Sequence, residues 1–144
     1  MSEAEEFEML GDLSRAAIYY EAAYKQKEER KDLIYRAGNF YLETRDYNKA
    51  AKCLEEVKNF DQDSIIKIPG FKYASALKQL GRYQEAKEAF SEYILIYKGS
   101  DKEKMQTLTD LEILGCDFAL KNQEYTNKEI KVKHLGEGIN SERT

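Results

Sequence analysis

The chain of 144 residues contains 42% hydrophobic and 35% charged residues, a composition that suits one soluble domain and excludes both a membrane-embedded and a disordered chain. Its 23 basic and 27 acidic residues are interspersed, so the formal charge of -4 leaves no basic stripe and nucleic acid is not an expected partner. A single proline, eleven tyrosines and alanine-rich segments favour an all-α fold.

The N-terminal segment begins Met-Ser-Glu-Ala-Glu-Glu and lacks the basic and apolar regions of a secretory signal. No stretch of the sequence approaches the roughly 20 apolar residues that span a bilayer. We therefore expect no direct insertion of this chain into a membrane.

Three segments then repeat one pattern of a polar turn, an apolar anchor, a small residue three positions later and a large residue after that. The small residues are spaced by 34 and then 36 positions, and another small residue precedes each by twelve; they are Ala16, Ala50 and Ala86, preceded by Ala4, Gly38 and Ala74. Each repeat therefore predicts two closely packed antiparallel helices. A single pair cannot bury its apolar face, so the pairs must stack.

This pattern resembles that of the tetratricopeptide repeat family. The matching positions are Ile34, Ala37, Gly38, Tyr41, Ala50 and Leu54 in the second repeat, and Tyr73, Ala74, Leu77, Ala86 and Phe90 in the third. The resemblance implies a superhelix of about three helix pairs, with repeats at about 2–28, 30–62 and 66–98. The family's closing proline is absent, and Pro69 instead lies near the start of a helix, where its fixed φ is tolerated.

The remaining sequence predicts a capping helix at 101–121 and an extended tail at 122–144. Lys128 occupies the small-residue position of a fourth repeat, which argues against a second closely packed helix there. Ile130 and Val132 alternate with lysines, a pattern typical of a strand that leads into a turn. The prediction is thus a domain of residues 1–121 followed by a linker.

Several short motifs also resemble the N-terminal repeat region of Bacteroidetes OmpA-family envelope lipoproteins of the PorE type. They lie at residues 45–50, 76–78, 81–83, 97–101, 112–116 and 135–141. In that family the repeats precede a β-propeller and a peptidoglycan-binding domain. The resemblance implies a periplasmic, outer-membrane-associated docking module connected to type IX secretion, gliding or peptidoglycan tethering, with another envelope protein as partner. A free-standing cytosolic adaptor that binds a peptide or helix is the alternative.

Catalytic, cofactor and metal sites are not expected. The single histidine, His134, has no nucleophile or acidic partner nearby in sequence, and Gly136 and Gly138 lack the third glycine of a dinucleotide motif. Cys53 and Cys116 lie in apolar helical patterns and are too far apart for a metal-ligand pair. We therefore predict that the protein is not an enzyme.

The binding surface predicted from the repeats is the concave face lined by the first helix of each pair. By register, it contains Tyr35, Asn39, Leu42, Phe71, Ser75, Lys78, Ile113, Asp117 and Lys121. Aromatic side chains beside amides suit an extended peptide or a partner helix. The alternative is that Tyr35 and Phe71 only pack between the repeats.

Overall fold

The computed structural model describes the backbone of residues 1–59 and 69–142, and the side chains of residues 1–59 and 69–129. Its described residues form seven helices and no strands, which confirms the all-α prediction. The helices are α1 (Glu3–Met9), α2 (Leu13–Gln26), α3 (Lys31–Glu43), α4 (Tyr47–Glu55), α5 (Pro69–Gln79), α6 (Tyr83–Ile96) and α7 (Lys102–Glu142). They form three consecutive pairs and a long last helix, and each helix packs against the next one in the chain.

The turn inside each pair has the same hydrogen-bonded geometry. At the end of α1, the Gly11 N–H donates to the Glu8 carbonyl at 3.0 Å and the Asp12 N–H donates to the Phe7 carbonyl at 2.9 Å. These two bonds define a Schellman motif, in which the residue after the helix adopts a left-handed conformation. The same pair of bonds ends α3 and α5, with Arg45 and Gly81 at the left-handed position.

The second helix of the first two pairs begins at an aspartate. The side chains of Asp12 and Asp46 accept hydrogen bonds from the N–H groups of Arg15 and Lys49, at 3.2 and 3.3 Å. Each aspartate therefore satisfies an N–H that has no partner within its helix. The third pair has Arg82 at this position, which makes no capping bond.

Small residues bring the two helices of a pair together. A Cβ atom built on Gly38 would lie 2.8 Å from both Cγ and Cδ2 of Leu54, so α3 and α4 could not approach as closely with any larger residue. The alanines of the repeated pattern, Ala16, Ala50 and Ala86, have no exposed surface. This arrangement confirms that the small residues mark the helix contacts.

The core lies between successive helix pairs and is filled by large side chains. Leu54, Leu77 and Phe90 are almost fully buried, and Tyr20 stacks on Phe40 with ring centroids 5.9 Å apart. Burying these side chains supplies the main stabilisation of a stacked-repeat fold. Pro69 is the first residue of α5, as the sequence predicted.

The C-terminal region differs from the prediction. Helix α7 extends from Lys102 to Glu142, so the capping helix does not end at 121, and the strand and extended tail expected in 122–144 are wrong for residues 122–142. A lone strand leaves its backbone N–H and C=O groups without partners, whereas a helix pairs them within itself. Glutamate and lysine, which are frequent between 121 and 133, also favour helix.

The predicted repeat boundaries at 62 and 66 lie outside the described residues. The described parts of the three helix pairs fall within the predicted repeats. Among the described helices, none has the length and apolarity that crossing a bilayer requires.

Candidate functional site

Side-chain bonds join the first helices of successive repeats along one face of the protein. Arg36 on α3 lies 3.5 Å from the Glu8 carboxylate on α1, and its Nη1 also donates to the Tyr20 hydroxyl at 3.1 Å. The Lys72 ammonium on α5 donates to Oδ1 of Asn39 on α3 at 2.7 Å. These contacts show that the first helices lie side by side, and we call the surface they form the first-helix face.

The α5–α7 contact continues this series. Lys78 Nζ lies 2.8 Å from a carboxylate oxygen of Glu112, and both side chains are about one-third exposed. A Cβ atom built on Gly115 would lie 3.3 Å from Lys78 Nζ, so the absence of a side chain there leaves space for the ammonium group. The charge of Lys78 is therefore neutralised by its own chain.

The centre of the first-helix face has a different charge balance. The Lys72 ammonium lies 5.1 Å from the centroid of the Tyr35 ring and bonds to the neutral amide oxygen of Asn39. Among the described residues, no Asp or Glu carboxylate lies within ion-pair distance of Lys72. Arg36 and Lys78 each have a carboxylate partner, so of these three cations only Lys72 lacks one among the residues that the structure describes.

The structure brings only some of the predicted site residues together. Tyr35 and Asn39 meet at Lys72, and Lys78 lies on the same face against α7. Phe71 instead packs edge-on against the Phe90 and Tyr93 rings of α6, with centroids 5.3 and 5.7 Å apart. Its aromatic ring is therefore part of the packing between α5 and α6.

The other predicted residues take up several environments. The hydroxyl of Ser75 donates to the Phe71 carbonyl of its own helix at 2.9 Å, and Leu42 and Ile113 pack half-buried against the core. The Asp117 carboxylate forms an ion pair with Lys87 on α6 at 2.5 Å, and Lys121 is exposed. The structure therefore does not bring Asp117 to the centre of the first-helix face.

The sequence analysis missed Lys72, Arg36 and Glu112, although these side chains make the bonds between the first helices. Arg36 follows Tyr35 and Lys72 follows Phe71, the two aromatic residues that the register predicts on this face. A positive charge at the same position in two consecutive repeats was the available signal. Its role was not apparent because a solvated lysine or arginine has the same sequence pattern.

The cysteines have the properties of core residues. Burial raises the pKa of the Cys53 thiol to about 12, and it also raises the pKa of Cys116. A thiol that stays protonated is a poor nucleophile and a poor metal ligand. Within the part of the chain whose side chains are described, no three His, Cys, Asp or Glu residues are grouped so that they could hold a metal ion.

Comparison with protein families agrees with this repeat geometry. A family model described as tetratricopeptide repeat matches residues 9–67, and a second model with the same description matches residues 71–99. Together the two matches cover more than half of the chain and include α2, α3, α4, α6 and all but the first two residues of α5. A search of curated proteins finds no match.

Proposed function

The chain belongs to the tetratricopeptide repeat family, and from that premise we propose that it is a docking module whose first-helix face binds an acidic segment of a partner protein. Repeats of this family generally bind proteins or peptides and are non-catalytic. The observation that supports an acidic partner is the charge at Lys72, which has an amide and an aromatic ring as neighbours among the described residues.

A carboxylate fits the geometry at Lys72. An ammonium that bonds only to a neutral amide gains a stronger, charge-assisted hydrogen bond when a carboxylate approaches. Lys72 uses only the Oδ1 atom of Asn39, and Nδ2 has no acceptor among the described residues, so it can serve as a second donor. The ring of Tyr35 supplies an apolar surface beside the charge, which suits an acidic residue that is flanked by an apolar one in the partner.

Selection from a displayed library of random eight-residue peptides, followed by titration of the selected peptide, tests this proposal. We expect acidic residues to be enriched, and the Lys72→Met variant to bind the selected peptide about 10-fold to 100-fold more weakly, the range of a hydrogen bond to a charged group. Lys52→Met, which changes an exposed lysine on α4, is the matched control and should bind normally.

Two outcomes would contradict the proposal. Enrichment of peptides without acidic residues would show that the face recognises another chemistry. Equal affinity of Lys72→Met and Lys52→Met for the selected peptide would place the bound carboxylate elsewhere. Circular dichroism of both variants is the check that the helices are intact.

For the cellular setting, we propose a periplasmic envelope protein of the OmpA type, with another envelope protein as the partner. The support is the resemblance of short motifs in the repeats. The strand expected in the tail does not add support, because that segment is helical through Glu142. A cytosolic adaptor is the alternative. Sequencing the native gene on both sides of this region decides between them: a lipoprotein signal and propeller sequence would support the envelope, and a gene without either would contradict it.

A further inference from the structure

Helix α7 carries a row of exposed apolar side chains on the side that faces away from the protein body. Met105 and Cys116 pack against the body and are 6% and 0% exposed. The opposite side contains Leu111, Leu114, Phe118 and Tyr125, which are 59, 64, 67 and 67% exposed. Their spacing of three, four and seven residues places them in one line, which we call the outer stripe.

The outer stripe is bordered by charged residues in a specific order. On one edge, Glu103 and Asp110 flank the N-terminal half, and Lys121 and Lys128 flank the C-terminal half. None of these four residues forms an ion pair with another described residue of its own chain. The edge is therefore acidic at one end and basic at the other.

The second edge has the reverse order. Lys104 lies at its N-terminal end and Glu129 at its C-terminal end, and both side chains are exposed. In an antiparallel pair, each edge faces the same edge of the second copy, so its acidic end lies opposite its basic end. In a parallel pair each edge would face the other edge, and Asp110 and Lys121 would find no opposite charge at their level, because Leu108, Gly115 and Asn122 lie there.

We propose that α7 pairs with α7 of a second copy of this chain, in antiparallel orientation about a two-fold axis near Cys116. Leu114 lies two residues before Cys116 and Phe118 lies two residues after it, so each leucine would face the phenylalanine of the other copy. Such a contact is isologous, because the same surface is used by both copies.

The charged edges agree with this axis. Asp110 lies six residues before Cys116 and Lys121 five after it, and Glu103 and Lys128 lie thirteen before and twelve after. On the other edge, Lys104 lies twelve residues before Cys116 and Glu129 lies thirteen after it. With one two-fold axis, each of these carboxylates therefore lies opposite an ammonium group of the second copy, with an offset of about one residue along the helix.

The size of the contact indicates a weak dimer. Large apolar side chains present roughly 150–200 Å² each, so the exposed parts of the outer stripe would bury about 500 Å² per copy and about 1,000 Å² in total. This total is at the lower limit for specific interfaces, and we expect a dissociation constant of roughly 10–100 µM.

Sedimentation equilibrium of the 144-residue chain, at protein concentrations from about 1 to about 300 µM, tests the proposal. We expect a reversible monomer–dimer equilibrium. Phe118→Glu should weaken the dimer at least about 10-fold without loss of helicity, because this side chain is 67% exposed and contributes little to the core. Leu95→Glu, at a leucine of α6 that is 79% exposed, is the matched control and should dimerise normally.

Charge exchange tests the antiparallel orientation. Asp110→Lys and Lys121→Asp should each weaken the dimer, because each places like charges opposite one another. The double variant should recover most of the lost affinity. A chain that stays monomeric at the highest concentration, a Phe118→Glu variant that dimerises as well as Leu95→Glu, or a double variant weaker than both single variants would overturn the proposal.

Discussion

Arg45 occupies a backbone conformation that suits glycine, and replacing it with glycine should stabilise the protein. Its φ is +62°, and the equivalent residues of the first and third repeats, Gly11 and Gly81, have φ of +77° and +76°. A residue with a Cβ atom pays about 1–2 kcal/mol for the left-handed conformation. The greater freedom of glycine in the unfolded chain offsets about 0.5–1 kcal/mol of this, so the net gain from Arg45→Gly is about 0.5–1 kcal/mol.

The side chain of Arg45 contributes little that would be lost. It is exposed and takes part in no ion pair among the described residues. Both hydrogen bonds of the turn use backbone atoms, at 3.0 Å from Arg45 N–H to the Leu42 carbonyl and 2.8 Å from Asp46 N–H to the Tyr41 carbonyl. Glycine keeps these bonds, so the change tests the backbone conformation alone.

Urea and thermal unfolding, followed by circular dichroism, measure the effect. We expect a midpoint about 2 °C higher for Arg45→Gly, and no comparable gain for Arg45→Ala, which keeps a Cβ atom. Gly11→Ala and Gly81→Ala should each lose about 1 kcal/mol, and a Cβ atom at either position has no atom within 4 Å, so no clash would contribute. The reasoning is refuted if glycine and alanine at position 45 give the same stability.

Three further predictions follow from other positions. Arg82→Asn should supply the missing N-cap of α6 and raise the free energy of unfolding, measured in urea, by about 1 kcal/mol. If the variant gains no stability, the Glu85 N–H is already satisfied. Gly38→Ala should lower the free energy of unfolding by about 1–3 kcal/mol, because the new Cβ atom would lie 2.8 Å from Leu54. An unchanged free energy would show that α3 and α4 can move apart without cost. Burial raises the pKa of Cys53 to about 12 and raises the pKa of Tyr41 above its usual 10.0. The folded state therefore keeps protons that the unfolded state releases, and the free energy of unfolding should fall as the pH rises above about 9. Unfolding curves between pH 8 and pH 11 check this, and a flat profile would contradict it.

The helix pairs could be predicted because small residues carry positional information. Gly38 lies against Leu54 of the paired helix, where a Cβ atom would come within 2.8 Å of the leucine side chain. Pro69 could be placed at a helix start because its ring tolerates only the first turn. Both inferences depend on backbone constraints that act locally, and such constraints can be read from the sequence.

The site was less predictable because it depends on contacts between repeats. Phe71 and Tyr35 occupy equivalent positions, yet Phe71 packs against the α6 rings while Tyr35 lies beside Lys72. Register alone does not distinguish them, because the difference arises from which aromatic side chains the next helix provides. The same limitation applies to Asp117, which pairs with Lys87 of a second helix.

The C-terminal prediction failed for a related reason. Alternation of apolar residues and lysines predicts a strand, but the described chain contains no neighbouring strand that could satisfy its backbone. Period-two alternation over a few residues is also compatible with a polar helix, in which backbone hydrogen bonding is independent of the side-chain order. The need to pair backbone groups therefore decided the structure of 122–142.

The bonds between first helices also determine how the superhelix can bend. Two of the three joints contain an ion pair, Glu8 with Arg36 and Lys78 with Glu112, whereas the α3–α5 joint described here contains the bond between Lys72 and a neutral amide. A lysine bonds more weakly to a neutral amide than to a carboxylate, so of these three described joints the one between α3 and α5 should open most easily. A partner bound at Lys72 would therefore act on the weakest of the three side-chain joints and change the curvature of the repeats there.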